Sequence, residues 1–357
     1  DLDDDPTTVG LLDDPAGQCR RPLRWTARQG NLLLVGTVGS GTTTAAVAAL
    51  ASGARASPPD ALHLYVIDAR GESAWTSFEP IAHCGAVVRV SETERLTRLL
   101  GRLAGELDRR AGAGRREPAI VVAIDGYAAV RHVLDDVALV EAATRLERVL
   151  RDGPALGIVS VVTTDGSSSR GLAVPRSATW LFHCDGDGIA RAAGLRGPEV
   201  GPGRPGRLRV VESGLEGHVV HDPDPLADLG ELGAADGPAL GPPPVSVLPE
   251  LVDPADLDAN DAPNTGDIRR ACGTPDSGAG LPVELVIGIG ADDLEPARLR
   301  VPSGDHVFIG GNARTGRSTA LRQVEAAWRL AHPGGRVVHL DRHSPVGAEF
   351  TDGCPDR

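Results

Sequence analysis

Two segments, Gly36-Thr37-Val38-Gly39-Ser40-Gly41-Thr42-Thr43 and Gly311-Asn312-Ala313-Arg314-Thr315-Gly316-Arg317-Ser318, share one spacing of glycines and hydroxyl residues. It is the spacing of a loop that wraps the phosphates of a nucleotide. Glycines permit the turn, successive backbone N–H groups point inward, and a helix starting at the loop's end puts the positive end of its dipole on the anion. A lysine normally follows the second glycine and reaches the β- and γ-phosphates. Thr42 and Arg317 stand there instead, and the chain contains no lysine that a neighbouring position might supply. Thr43 and Ser318 occupy the hydroxyl positions that meet a magnesium ion.

The chemistry such a loop serves needs two more groups. Ile120-Val121-Val122-Ala123-Ile124-Asp125 is an apolar run ending in a carboxylate, the pattern that holds magnesium directly or through water. A glutamate should follow as the base that orients the attacking water, but residue 126 is glycine, which cannot accept a proton. Asp135 and Asp136 lie beyond it, where helix capping is the expected role. ATP and Mg2+ are therefore the expected ligands, with Gly36 to Thr43, Asp125, Gly311, Gly316, Arg317 and Ser318 around the nucleotide and Thr43 and Asp125 at the metal. Binding is expected to be weak or lost, because the loop amides survive while the lysine does not. A purely structural role for both loops is the alternative.

The elements that must position these groups read as α/β. Asn31 to Val35 forms a short apolar run before the first loop, and the Ala-rich stretch from Thr43 to Leu50 follows it as a helix. Leu62–Asp68, Ala86–Val90, Ala119–Ile124 and Ile158–Val162 are continuous apolar runs, which suit a parallel sheet covered on both faces. Leu96, Leu99, Leu100, Leu103 and Leu107 fall at helical spacing, with Ser91 and Glu94 expected as a capping box. A second helix is expected over 136–151. Ligands should then sit beyond the carboxyl ends of the strands.

From Asp222 to Gly280 the composition shifts to Pro, Gly and Asp, a linker signature, although Val245-Ser246-Val247-Leu248 has the make-up of an added edge strand. The pattern then restarts. Val286-Ile287-Gly288-Ile289-Gly290-Ala291-Asp292-Asp293 repeats Val9-Gly10-Leu11-Leu12-Asp13-Asp14, Val307-Phe308-Ile309 leads into the second loop, and Val337–Asp341 matches Tyr65–Asp68. The expected organisation is a first domain over 1–225, a linker over 226–280, and the opening part of a second copy over 281–357.

Together these segments resemble the FtsK/SpoIIIE family of hexameric P-loop translocases, and among them the degenerate tandem ATPase domains of EccC-type type VII secretion motors. The resemblance rests on Gly36 to Thr43, the strand ending at Asp68, Ile120 to Gly126, and Gly157 to Asp165. The last run is similar to the family's sensor strand, with Thr164 matching and Asp165 departing from the usual Gln. An acid there repels a γ-phosphate. Val9 to Pro15 and Pro202 to Arg207 also resemble family segments. The resemblance implies a RecA/FtsK-like mostly parallel sheet flanked by helices and duplicated in tandem. It implies adjacent ATPase domains in a longer chain, a homo-hexamer, and substrate signal peptides as possible partners. It places this part of the chain in the cytoplasm and anchors the full protein in the cell membrane.

Composition constrains partners less than it constrains chemistry. The 357 residues carry 36 basic and 49 acidic side chains, a net charge of −13, which argues against a surface that coats nucleic acid and leaves only a local DNA-binding groove open. Cys19, Cys84, Cys184, Cys272 and Cys354 are scattered and unpaired in pattern, as in a reducing compartment. His83-Cys84 and His183-Cys184-Asp185 lack the spacing of a metal site. Arg109, Arg110, Arg115 and Arg116 are expected to be a solvated helix end, and Trp25, Trp75, Trp180 and Trp328 core or interface anchors. The chain begins with Asp and has no Met, as expected of a piece of a longer protein. Three functions compete: a hydrolysis-deficient regulatory module of a secretion motor, an active DNA-translocating ATPase of the same family, and a scaffold that binds nothing.

Overall fold

The computed structural model describes residues 5–166, 173–184, 188–192, 200, 204–227, 229, 241–249, 252, 283–290, 294, 296–302, 304–331 and 337–338. The chain parts into two compact units, Asp1–Val247 and Leu248–Arg357. In the first, β1 (Thr8–Asp14) and β2 (Cys19–Arg24) precede β3 (Leu32–Val35), α1 (Thr42–Ala56), β4 (Leu62–Asp68), α2 (Ser73–Thr76) and β5 (Cys84–Arg89). Then come α3 (Thr93–Ala113), β6 (Ala119–Asp125), α4 (Tyr127–Leu134), α5 (Val140–Asp152), β7 (Ile158–Thr164), β8 (Ala178–Leu181), the helical turn α6 (Ile189–Ala192), β9 (Arg207–Val210) and β10 (Glu216–Val219).

These strands form a 10-stranded sheet in the order β2-β1-β10-β9-β8-β3-β7-β6-β4-β5. From β8 to β5 every neighbouring pair is parallel, and β9, β10, β1 and β2 extend the sheet antiparallel. The parallel half is where the unbroken apolar runs lie: β3 and β7 are buried at every residue. Side chains alternate between faces, so Leu33 and Val35 join one core with α3 and α5 while Leu32 and Leu34 join another with α1. The mostly parallel sheet flanked by helices is thus observed as expected. Asn31, at the foot of β3, ties the layers: its Nδ2 donates to the carbonyls of Leu150 and Pro175, each at 2.8 Å, and its Oδ1 accepts from Ser160 N–H at 2.8 Å.

Three local expectations change. The Ser91/Glu94 capping box does not form; α3 begins at Thr93 behind Glu92, whose carboxylate accepts instead from the backbone N–H of Arg89 at 2.7 Å. The helix expected from residue 136 starts as a 3-10 turn over Val137–Leu139, with Asp136 accepting from Ala138 N–H, and only then becomes α5. Arg110 is not solvated. Its side chain is fully buried and donates to Glu106 and to the carbonyls of Arg116 and Pro118, before β6, and of Leu156, before β7.

Residues 241–247 return to the outer edge of β5. Val245 is buried, donates its N–H to Gly85 O at 3.2 Å and accepts from Arg95 Nε at 2.8 Å, while Tyr65 O–H donates to Pro243 O.

In the second unit β11 (Val283–Ile289) and β12 (Pro296–Val301) form an antiparallel hairpin, followed by α7 (Arg317–Ala331). Its register shifts between Val286 and Gly288; the β1–β2 hairpin shifts between Thr8 and Gly10, beside the matching glycine. Val307–Ile309 is in no strand among the described residues. Asp292, Asp293 and Asp341 lie outside the described residues, as do Asp185, Pro202, Gly203, Cys272 and Cys354.

Candidate functional site

The first loop leaves β3 tied on both sides. Gly36 N–H donates to Thr164 O on β7, and Thr37 N–H to His183 O beyond β8, both at 2.9 Å. The chain then turns through Gly39 and Gly41, whose φ values of 80° and 104° favour glycine. A Cβ at Gly41 would lie 2.6 Å from Gly206 N, so the Pro205-Gly206 turn braces the loop, and Gly206 N–H donates to Ser40 O at 2.8 Å. α1 opens at Thr42 with no side-chain cap and no acid in its first turn. Its first N–H groups therefore lack intrahelical partners and face an anion-ready end. Ser40 Oγ is buried inside the turn, over Gly36, with no hydrogen-bond partner. Thr42, at the lysine position, is buried, and Val38 is exposed.

The order of strands sets β7 between the loop strand and β6, so hydroxyls on β7 reach across to Asp125. Asp125 is fully buried. Its Oδ1 accepts from Thr163 Oγ1 at 2.6 Å, its Oδ2 from Trp75 Nε1 at 2.9 Å, and Thr43 Oγ1 spans both oxygens at 3.2 and 3.0 Å. Arg70 Nε stands 3.7 Å from Oδ1. Thr163 also takes the Gly126 N–H at 2.8 Å. The expected pair Thr43 and Asp125 is thus brought together, joined by three residues outside the motif.

Arg70 is aimed by the end of β4. Asp68 Oδ1 accepts from the N–H groups of Arg70 and Gly71 at 2.9 and 2.8 Å, folding the chain back, and Ala69 N–H donates to Asp125 O. The arginine lies over Gly126, whose φ is 85° and where a Cβ would meet Arg70 Cγ at 3.2 Å. It lines a 420 Å³ cavity with Val38, Gly126, Thr164 and Asp165, and a 500 Å³ cleft along Gly39 to Thr44 that Glu72, His221 and Asp222 also border. Thr164 lines the first of these spaces, and its Oγ1 accepts from Gly166 N–H.

The second loop has the same local shape. Gly316 has φ 87°, α7 starts at Arg317 and Ser318, and Ala320 N–H donates to Gly316 O at 2.8 Å, as Ala45 does to Gly41 O at 2.9 Å. Gly311 to Ser318 are exposed.

Residues 16–168, which contain the first loop, Asp125 and β7, match the model of the FtsK/SpoIIIE family. Over that span the chain resembles the FtsK/SpoIIIE family. It is 28% identical to the ESX-3 secretion system protein EccC3 of Mycobacterium tuberculosis, over 94% of this chain and 26% of that protein, so it spans about a quarter of that relative's length. In fold it is similar to EssC (ATPases 2 and 3) from Geobacillus thermodenitrificans, with a TM-score of 0.65 and 19% identity over 90% of this chain and 64% of that one. Thermomonospora curvata EccC (ATPases 2 and 3), solved with a signal sequence peptide, gives a TM-score of 0.66 and 18% identity over 90% and 60%. The FtsK-type ATPase fold and the resemblance to the type VII secretion EccC proteins both stand.

Nucleotide and magnesium use are general in FtsK/SpoIIIE and other P-loop ATPases, and the residue types of Thr43 and Asp125 suit the metal. Their arrangement does not. A carboxylate has about four lone-pair directions; three hydroxyl or indole donors occupy the oxygens of Asp125, and the remaining Oδ1 side faces a guanidinium. A metal-bound water would have to displace one of these groups and approach a fixed positive charge.

Sequence reasoning missed Arg70, Trp75 and Thr163, which complete this site. Arg70 and Trp75 follow the end of a parallel strand, where ligands are expected. Arg70 belongs to no motif, and Trp75, expected as a core or interface anchor, does pack against Phe78. Its buried N–H needs an acceptor, which is the usable signal. No group of three or more metal-ligating residues occurs among the described residues. His83 Nε2 lies 2.7 Å from Ser57 O, and burial pushes the Cys84 thiol up to about 12. No helix is long and apolar enough to cross a membrane among the described residues.

Proposed function

We propose that the chain is an ATP-binding module of an FtsK/SpoIIIE-type translocase that does not hydrolyse nucleotide and acts as a regulatory part of a membrane-associated protein secretion motor. One observation carries the reading: where a hydrolytic site has a carboxylate after the Asp of β6, Gly126 stands in the left-handed region with Arg70 lying on it. Position 126 offers no proton acceptor, and Arg70, which cannot accept a proton, lies where a side chain there would extend. The loop amides and the uncapped α1 support phosphate binding all the same.

On this reading residues 281–357 open a second copy of the domain, supported by the matching hairpin shifts at Gly10 and Gly288 and the matching helix starts after Gly41 and Gly316. Gly311, Gly316, Arg317 and Ser318 are then its loop, with Arg317 a bulkier cation than lysine. Neighbouring ATPase domains of a longer chain assemble with it into a hexamer in the cytoplasm, beneath a membrane anchor. A substrate signal peptide is the partner, by analogy with the EccC structure solved with one.

The test is ATP titration by calorimetry alongside a phosphate-release assay on the purified chain. Saturable binding without release above buffer is expected. Sustained release at a rate on the order of 1 s⁻¹, typical of working enzymes, would sink the reading. Absence of binding, with no thermal stabilisation by ATP or ADP, would favour a scaffold.

A further inference from the structure

Asp125 is a buried carboxylate whose charge is met within the protein. Trp75, Thr43 and Thr163 donate to its two oxygens and Arg70 Nε faces it at 3.7 Å. In a working P-loop site the corresponding carboxylate serves a magnesium ion, and a loop lysine adds a further positive charge on the phosphates. Here Arg70 is the cation that faces the carboxylate. We propose that Arg70 substitutes for the loop lysine and the magnesium ion together, so that the Gly36–Thr43 loop takes the polyphosphate of a nucleotide without a divalent metal. The inference rests on the nucleotide-binding reading above and specifies its chemistry.

Four features converge on it. Arg70 is held in place at both ends: Asp68 fixes its backbone, and Asp125 and Gly126 receive its side chain. Its side chain is 17% exposed and borders both the 420 Å³ and the 500 Å³ spaces flanking the loop, and it is the one guanidinium among their described lining residues. Arg70 stands 3.7 Å from the carboxylate, beyond hydrogen-bond distance, so the planar group has donors for a phosphate, a geometry it suits. Gly126 is the position that lets the arginine lie there, since a side chain would push against it. The same replacement explains why Thr42 need not be basic.

Because Arg70 spends part of its charge on Asp125, and Glu72 and Asp165 line the same cavity, the site holds phosphate less tightly than a lysine and metal would. Metal independence is the discriminating property. ADP and ATP are titrated calorimetrically into the intact chain in magnesium and again in EDTA, then into Arg70→Met and Arg70→Lys. The expected result is a Kd unchanged within about threefold by EDTA, raised at least about tenfold in Arg70→Met, and intermediate in Arg70→Lys; tenfold corresponds to about 1.4 kcal/mol. A Kd that rises tenfold in EDTA overturns the proposal, and so does an Arg70→Met protein that binds like the parent. If Arg70→Met unfolds in a thermal melt, the EDTA comparison on the unaltered protein still decides. Electron paramagnetic resonance of Mn2+ in the presence of ADP gives a second reading, in which a protein-bound manganese signal counts against it. Binding that needs magnesium sinks this inference alone, whereas no nucleotide binding in either buffer sinks the nucleotide-binding reading with it.

Discussion

Gly126 and Arg70 fit each other: a Cβ at 126 would stand 3.2 Å from Arg70 Cγ and 3.6 Å from its Nε. The residue that follows the magnesium-position Asp and the arginine that neutralises that Asp are thus coupled by contact, which accounts for two departures from the motif at once. Gly126→Ala must tolerate φ 85° as well as this contact. It is expected to lower unfolding stability by about 1–3 kcal/mol. Adding Arg70→Ala should relieve the contact but not the backbone penalty, so a double-mutant cycle in urea should give non-additivity of about 0.5 kcal/mol or more. Strict additivity would show that the two positions do not interact.

Trp75→Phe isolates the hydrogen bond to the buried carboxylate. Trp75 is fully buried, and phenylalanine keeps most of its packing against Phe78 while removing the N–H that Asp125 Oδ2 accepts at 2.9 Å. Loss of a hydrogen bond to a charged group, with its acceptor left buried, costs about 1.5–3 kcal/mol. Chemical denaturation should show that loss at an unchanged m-value; a change under about 0.5 kcal/mol would mean that another donor moves in.

The sequence carried the scaffold further than it carried the site. β4 was legible to the residue because Leu62–Asp68 is an unbroken apolar run, and the loop-to-α1 step because glycine spacing has a backbone cause. Thr43 and Asp125 were legible as partners from the motif alone. Arg70 and Trp75 were not, because their roles come from a fold-back at Asp68 that brings the start of the β4–α2 segment over the end of β6, a contact 55 and 50 residues away in sequence (125 minus 70, 125 minus 75). Arg110 failed for the opposite reason: an arginine cluster after a helix reads as solvated, yet the carbonyls of Arg116, Pro118 and Leu156 turn inward there and need a donor. Backbone groups left over between elements are invisible to composition.

Acid sensitivity should centre on Glu106. The Arg109 guanidinium beside it, joined by Arg110 from the buried side, lowers its carboxyl from 4.5 to about 2. A carboxyl depressed on folding contributes stability that is fully present above the unfolded value and lost as pH falls through the folded one. The window is therefore between about pH 4.5 and about pH 2. The side chain is 19% exposed, so solvent screening reduces the effect to on the order of 1–2 kcal/mol. Glu106→Gln should lower the melting temperature at pH 7 and flatten its decline below pH 4.5. An unaltered acid limb in the variant would place the sensitivity elsewhere.

Arg109 and Arg110 are neighbours that share one carboxylate, yet their loss should differ severalfold. Arg109 is half exposed, and its pair with Glu106 at 2.6 Å is a surface interaction. Arg109→Ala should cost no more than about 1 kcal/mol. Arg110 is completely buried and satisfies Glu106 and three backbone carbonyls, so truncation leaves those acceptors without a donor and a cavity where the guanidinium was. Arg110→Ala should cost about 3–5 kcal/mol. Arg110→Lys should recover only part of this, because one ammonium cannot reach carbonyls arranged around a planar fork. Urea unfolding of the three variants, followed by far-UV circular dichroism, ranks them; equal losses for Arg109→Ala and Arg110→Ala would show that the buried carbonyls find water instead.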